Sequence, residues 1–438
     1  MSLAFGLLLL TAGIVLIIGL TSWLKIHSFL ALFLVSLLMA CIVMPVTDIV
    51  PLLKKGFGDT MGSIGLIIVF GAVIGVTLDQ TGATVSMASF FLRHIGTRRA
   101  PWAITITGFI TGLPIFCDSG FIVLSGLNRS MAAKSKSHPV FMSTILACSL
   151  YSVHCLIPPH PGATAAAGIT GANIGTLVIT GIAVAFPAVL VAYAWARFMT
   201  RNMVTPEEMV EEQVETRPVG LPSAWKSFMP IVVPLILITV KAFTGIGGAE
   251  NSFGRISGFV GDPVIALMIG MFLSFSLLRF SRETMNHMLN RAVEKAGPII
   301  IITAAGGIFG AVIKSTGVGE QAGRWLAGTG LGLLIPFLIT SLFKTAQGSS
   351  TVAIITAASI LAPMADSLGF GGESGKLLLM LSMGAGSMAV SHANDSYFWV
   401  VTNFSGLNSS DTLRVYSSAS LVMGLTSLAM VYLLSLVI

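Results

Sequence analysis

Apolar residues along this chain gather into twelve blocks separated by short polar stretches. The first six run from Leu3 to Trp23, Ser28 to Pro45, Gly62 to Leu78, Pro101 to Leu127, Val140 to Ile157 and Thr176 to Ala196. A polar stretch from Arg197 to Lys226 follows, acidic between Glu207 and Glu215. Six more blocks run from Phe228 to Phe243, Pro263 to Leu278, Pro298 to Ile313, Leu331 to Leu361, Leu377 to Val390 and Leu413 to Ile438. Most approach the roughly 20 residues that a helix needs to cross a bilayer. The pattern predicts an all-α polytopic membrane protein. Its first block lacks a basic leading segment and a cleavage site, so it is expected as a retained helix.

The two sets of six correspond. Gly71, Gly75, Thr81 and Gly82 match Gly306, Gly310, Thr316 and Gly317 at an offset of 235, and Phe29–Leu32 matches Val264–Leu267. Farther on, His154 meets His392 and Gly168 meets Gly406 at an offset of 238. A nearly fixed offset over so long a stretch points to an internal duplication. The expected units are a first repeat at 1–196, a cytoplasmic linker at 197–227 and a second repeat at 228–438. In each repeat one block sits awkwardly as a span. Residues 101–128 are too few for two full helices and lie between basic loops, so they predict a re-entrant hairpin, with a partner at 331–363. Broken helices are expected at 139–170 and 377–410. About ten spans and two hairpins result, and an odd number of crossings per half makes the repeats inverted in topology.

Composition agrees. Of the 438 residues, 54% are hydrophobic and only 10% charged, against about 25% charged in soluble domains. Sixteen of the 24 Lys and Arg fall on the cytoplasmic side when the N-terminus is outside, with Lys54 and Lys55 the main dissent. The net charge of +6 is therefore topological and predicts no nucleic-acid partner. Cys41, Cys117, Cys148 and Cys155 have no C-x-x-C spacing, so neither a metal site nor a disulfide frame is expected.

The candidate chemistry lies where helices must break. Ser152 to Thr164 carries Pro158, Pro159 and Pro161, and proline both removes a backbone donor and clashes with the preceding turn. Unwound backbone at membrane depth is tolerated where protein buries it or where it lines a cavity. Asp118 and Asp395 are acids inside such motifs, and an ionisable group there is a functional candidate by default, with helix capping as the structural alternative. Either can carry a coupling proton. His154 and His392 stand before the two breaks, with His160 between prolines. Ser119, Ser152, Gly348, Ser349, Ser350, Thr351 and Asn394 offer hydroxyls, an amide and free backbone N–H groups, which at helix N-termini bind carboxylates.

Taken together, Gly112-Leu113-Pro114-Ile115-Phe116 with Gly120-Phe121, Pro158-Pro159-His160-Pro161-Gly162, Ala346-Gln347-Gly348-Ser349 and Ser391-His392-x-Asn394-Asp395 with Phe398-Trp399 resemble the gluconate:proton symporter (GntP) family over essentially the whole chain. The resemblance implies a homodimeric carrier in the bacterial inner membrane that imports a small carboxylate, gluconate or a related sugar or hydroxy acid, with protons by elevator-type alternating access. No cofactor is implied beyond the coupling ion. The motif departs at Cys117-Asp118-Ser119, where gluconate-specific members tend to carry Phe-Glu-Val, which keeps D-serine and shorter hydroxy acids in view. A Na⁺-coupled carrier has the same skeleton. An intramembrane enzyme is the alternative of another class, disfavoured by the symmetry of the halves and by the lack of a nucleophile in a recognisable elbow.

Overall fold

In hydrocarbon a helix satisfies every N–H and C=O within one segment, so apolar runs of this length fold as helices. No β-strand occurs among the described residues of the computed structural model, which are 3–95, 99–203, 220–246, 252–278, 282–316, 318–393 and 395–438. The middle of the expected linker lies outside them, as do Gly317 of the repeat, Asn394 of the expected site, and Arg98, Arg217 and Arg279. The first half holds α1 (Leu3–Ile18), α2 (Ser28–Val43), α3 (Val46–Gln80), α4 (Ala83–Ile95), α5 (Ala100–Gly112), α6 (Cys117–Ser135), α7 (Pro139–Leu156), α8 (Pro161–Thr170) and α9 (Ile174–Thr200). The second holds α10 (Ala224–Ile246), α11 (Ser252–Val260), α12 (Pro263–Phe275), α13 (Arg282–Thr316), α14 (Val318–Ala327), α15 (Leu334–Gln347), α16 (Ser350–Leu361), α17 (Glu373–Met388), α18 (Ser396–Phe404) and α19 (Ser418–Leu434).

Among the described residues, six helices are long and apolar enough to cross a membrane: Val46–Gln80, Pro139–Thr170, Ile174–Thr200, Ala224–Lys241, Glu283–Ser315 and Ser409–Leu434. A seventh arises if α11 and α12, bent by 63° at their junction, count as one span. The polytopic all-α class stands, and a count of ten draws on shorter apolar helices such as Leu8–Thr21 and Ser28–Val43.

The longest helices differ from the apolar blocks that announced them. Helices α3 and α13 each run 35 residues, about 52 Å at 1.5 Å per residue, against a hydrocarbon core of about 30 Å. Their polar N-terminal halves continue the helix because apolar positions recur there at helical spacing: Ile49, Leu53 and Gly56 are buried on α3, and Met288, Ala292 and Ala296 on α13. Lys54 and Lys55 therefore occupy the exposed face of a helix, where Lys55 pairs with Asp59 at 2.7 Å. The two long helices cross backbone to backbone. A Cβ on Gly56 would stand 2.9 Å from the Gly307 carbonyl oxygen, and one on Gly307 would stand 2.7 Å from that of Gly56. Small residues at such a crossing are how membrane helices approach closely.

The core is built on α7 and α17. Every residue of α7 from Val140 to Leu156 is buried, as is α17 from Leu377 to Met388. Two tyrosines stitch the halves: Tyr151 donates from α7 to the Ser387 carbonyl at 3.3 Å, and Tyr397 donates from α18 to the Ala147 carbonyl at 3.1 Å. Apolar side chains face outward on the periphery. Leu34, Leu38 and Ile42 form an exposed stripe along α2, one residue per turn and suited to lipid.

Four interruptions separate half-helices: 113–116 between α5 and α6, 157–160 between α7 and α8, Gly348–Ser349 between α15 and α16, and 389–395 between α17 and α18. The causes are local. Prolines 158 and 159 end α7, and Pro161 begins α8 at a position where its missing N–H is harmless. Gly348 closes α15 with φ +81°, a left-handed conformation suited to glycine. Asp395 starts α18 by accepting from its second residue, Tyr397.

Candidate functional site

Each break before a short second half-helix is tied to a hairpin tip, by different chemistry in the two halves. His160 precedes α8, and its Nε2 lies 2.6 Å from the carbonyl oxygen of Gly112, the last residue of α5. A carbonyl only accepts, so this imidazole carries its proton on Nε2. Asp395 precedes α18, and its Oδ2 lies 2.5 Å from the Nζ of Lys344 in the last turn of α15. His160 and Asp395, each directly before a short half-helix, are 235 residues apart, the offset expected of a duplication. The expected pairing of His154 with His392 does not match position: His154 lies inside α7, whereas His392 lies in the unwound stretch.

The Lys344 side chain has no exposed surface and that of Asp395 only 4%. Lys344 also donates to the Gly348 carbonyl at 2.5 Å, and its Nζ sits 5.8 Å from the centre of the Tyr151 ring. Asp395 is fully engaged. Its Oδ2 accepts additionally from Ser391 Oγ at 2.5 Å, and its Oδ1 accepts from the Tyr397 N–H at 2.9 Å. A buried charge without partners costs roughly several kcal/mol, which explains why each ion is paired and hydrogen-bonded.

The first break also reaches the second hairpin. His154 Nε2 lies 3.3 Å from Thr351 Oγ1 in the first turn of α16, and its ring centre is 4.9 Å from that of His160. A Cβ on Gly162 would stand a tight 3.1 Å from the Thr351 Cα, so glycine eases the close meeting of the first turns of α8 and α16. Through His154 and His160 both hairpin tips converge on one break.

Around this junction, Ser349 caps α16 by accepting from the Val352 N–H at 3.3 Å, and Ser350 is buried behind it. Helices α6 and α8 have no side-chain cap. Their first N–H groups and positive dipole ends are then free for an anion. Asp118 is half-buried in the first turn of α6, and the one hydrogen bond to its carboxylate among the described residues is a long 4.0 Å contact from Cys117 Sγ. It interacts electrostatically with Asp395, Lys295 and Lys344. Ser119 accepts from Lys295 of α13 at 2.9 Å, with the ammonium 5.6 Å from the centre of the Phe116 ring. Ser152 donates within its own helix, to the Ser149 carbonyl at 3.0 Å. The ring of His392 makes no hydrogen bond among the described residues, while its carbonyl accepts from Asp395 N at 2.8 Å.

Four participants escaped the sequence reading: Lys344, Lys295, Gln347 and Thr164. Lys344 and Lys295 had the signal of a cation within or beside an apolar block. Gln347 ends α15 with both Oε1 and Nε2 buried and without a partner among the described residues, as are Thr164 Oγ1 in the first turn of α8 and His154 Nδ1. Only the fold reveals those. A cavity of about 750 Å³ lies elsewhere, lined by Asp59, Thr60, Gly168, Lys314, Arg324 and Asp366 among others. It opens at the far ends of α8 and α16, about 10–18 Å along those helices from the tips.

A family model for the GntP family permease matches residues 5–437. The inner membrane permease YgbN of Escherichia coli K12 is 32% identical over 435 residues, covering 95% of this chain and 95% of its own. The gluconate permease of Pseudomonas aeruginosa is 29% identical over 445 residues, covering 98% of each. Among solved structures, the YdaH transporter of Alcanivorax borkumensis has a similar fold, with a TM-score of 0.58 at 15% identity over 93% of this chain and 97% of that one. A match running from residue 5 to residue 437, shared with proteins that are themselves named permeases, makes this chain a member of the GntP permease family, a multi-pass transporter of the inner membrane.

Proposed function

We propose that the chain imports gluconate or a related sugar acid or hydroxy acid together with protons. The observation that carries this reading is the convergence of both hairpin tips on the first break, His160 at Gly112 and His154 at Thr351. Half-helices ending at one place present N-terminal dipoles to an anion, the arrangement by which inverted-repeat carriers hold substrate near the midplane. The substrate carboxylate takes the uncapped N–H groups of α6 and α8. Its hydroxyls bond Ser350, Thr351, Gln347, Thr164 and the free Nδ1 of His154, which gives those buried polar atoms the partners that buried polar groups ordinarily have. His392 lies in the second break. Asp395 is committed to Lys344, so Asp118 carries the coupling proton. One proton with a monoanion moves no net charge.

Transport proceeds by alternating access. The first tip and the first break face helix α10 across an apolar cavity lined by Pro114, Pro158, Pro159, Pro230 and Pro234. Proline faces offer few hydrogen bonds to break, which suits sliding of an elevator kind. The polar cavity at the far ends of α8 and α16 serves as the aqueous approach.

Uptake by reconstituted vesicles tests the reading, with gluconate, glycerate, D-serine and lactate as cargo and with pH and Na⁺ gradients imposed separately. Accumulation of a sugar acid driven by the pH gradient and indifferent to Na⁺ is expected. Accumulation that follows Na⁺ and ignores pH would sink the proton assignment.

A further inference from the structure

We infer that Lys344 is a built-in substitute for a coupling metal cation: its ammonium occupies a cation site formed by the end of a half-helix and the second chain break. The inference rests on the transporter reading and specifies its ion. In broken-helix carriers, the carbonyls at half-helix C-termini and unwound backbone coordinate Na⁺. Here those ligands are present and already hold a positive charge. The Gly348 carbonyl lies just past the end of α15, where the helix dipole is negative, and accepts from Lys344 Nζ at 2.5 Å. The Asp395 carboxylate accepts from the same nitrogen at 2.5 Å, and Ser391 Oγ stands against that carboxylate oxygen at 2.5 Å. A carbonyl, a carboxylate and a hydroxyl are hard oxygen ligands of the kind alkali ions take. The ammonium reaches them from one turn upstream on the same helix, so the cation is covalently tethered and cannot be lost or exchanged. The second break is thus held to the second hairpin without any ion from solution. In the first half the corresponding position on α5 is Phe109, and the break is held by the neutral His160–Gly112 hydrogen bond, so neither half needs a metal ion.

Deleting the tether exposes the site. The Lys344→Ala variant leaves the Asp395 carboxylate and the Gly348 carbonyl without their cation, with the Ser391 hydroxyl beside them, and Na⁺ takes its place. In vesicles, wild-type uptake is expected to be the same in Na⁺ and choline media, whereas that of Lys344→Ala rises about tenfold or more in about 100 mM Na⁺. Melting of the purified proteins in detergent provides a readout independent of transport: Na⁺ raises the melting temperature of Lys344→Ala by several degrees, and leaves unchanged that of wild type and of the double variant Lys344→Ala/Asp395→Asn. Equal melting of Lys344→Ala in Na⁺ and choline overturns the inference, whether or not the variant transports. A wild-type protein that concentrates no sugar acid overturns the transporter reading instead, and the melting comparison still decides the cation site.

Discussion

The Nζ of Lys344 and the Oδ2 of Asp395 meet at 2.5 Å, with side chains 0% and 4% exposed. This ion pair joins the end of α15 to the start of α18, two elements 51 residues apart in sequence. Breaking a buried pair from one side leaves an uncompensated charge and typically costs about 3–5 kcal/mol, whereas removing both charges costs far less. Asn is as good an N-cap as Asp, so Asp395→Asn preserves the bond from Tyr397 N while removing the charge. Lys344→Met and Asp395→Asn are each expected to lower the melting temperature sharply in choline buffer. The double variant should melt above either single one, and strictly additive losses would show that the pair is not coupled.

How much of this was legible follows from what each break is made of. Pro158, Pro159 and Pro161 announce the first break by backbone chemistry alone. The second, at 389–395, contains no proline, and the signals for it are Asp395 at membrane depth, its motif and the expected duplication. There the sequence pairs like with like, His154 with His392, whereas position places a carboxylate opposite an imidazole. The two residues perform one task through opposite hydrogen-bond roles: His160 donates to a carbonyl, and Asp395 accepts from an ammonium. Lys344 is hidden because one Lys barely dents the apolarity of Leu334–Gln347, and it is not among the sixteen cations that the charge bias places on the cytoplasmic side. The unpartnered Gln347 belongs to a class that sequence cannot show, since lack of a partner is a property of packing.

The crossing of α3 and α13 makes a prediction about glycine. A Cβ on Gly307 would fall 1.9 Å from Thr60 Oγ1 and 2.7 Å from the Gly56 carbonyl oxygen, so Gly307→Ala must push the long helices apart. Gly58 and Gly62, on the same helix α3, have nothing within 4 Å of a built Cβ. Alanine there gains about 1 kcal/mol of helix propensity. Thermal melting should therefore fall for Gly307→Ala and hold or rise for Gly58→Ala and Gly62→Ala.

Asp118 differs from Asp395 in having no cation bonded to it among the described residues, which is the basis for assigning it the proton. Asp118→Asn keeps the shape of the first turn of α6 and removes the titrating group. Counterflow exchange of labelled for unlabelled sugar acid is expected to persist in this variant, while accumulation driven by a pH gradient is lost. Wild-type accumulation by Asp118→Asn would make the acid structural.

Gln347 separates substrate binding from stability. Its Oε1 and Nε2 are buried at the second hairpin tip without a partner among the described residues. A buried amide in that state contributes nothing to folding and carries its desolvation penalty, so an apolar residue of similar size should be neutral or stabilising. A substrate hydroxyl that bonds the amide loses that bond in Gln347→Leu, and a site built for a hydroxyl rejects the mismatch because a polar group is left unpaired. The expected result is an unchanged or raised melting temperature together with a KM for the sugar acid higher by about tenfold, the equivalent of one hydrogen bond worth about 1.4 kcal/mol. If the variant melts earlier and its KM is unchanged, Gln347 is a packing residue and the second tip contributes only Ser350 and Thr351 to the substrate.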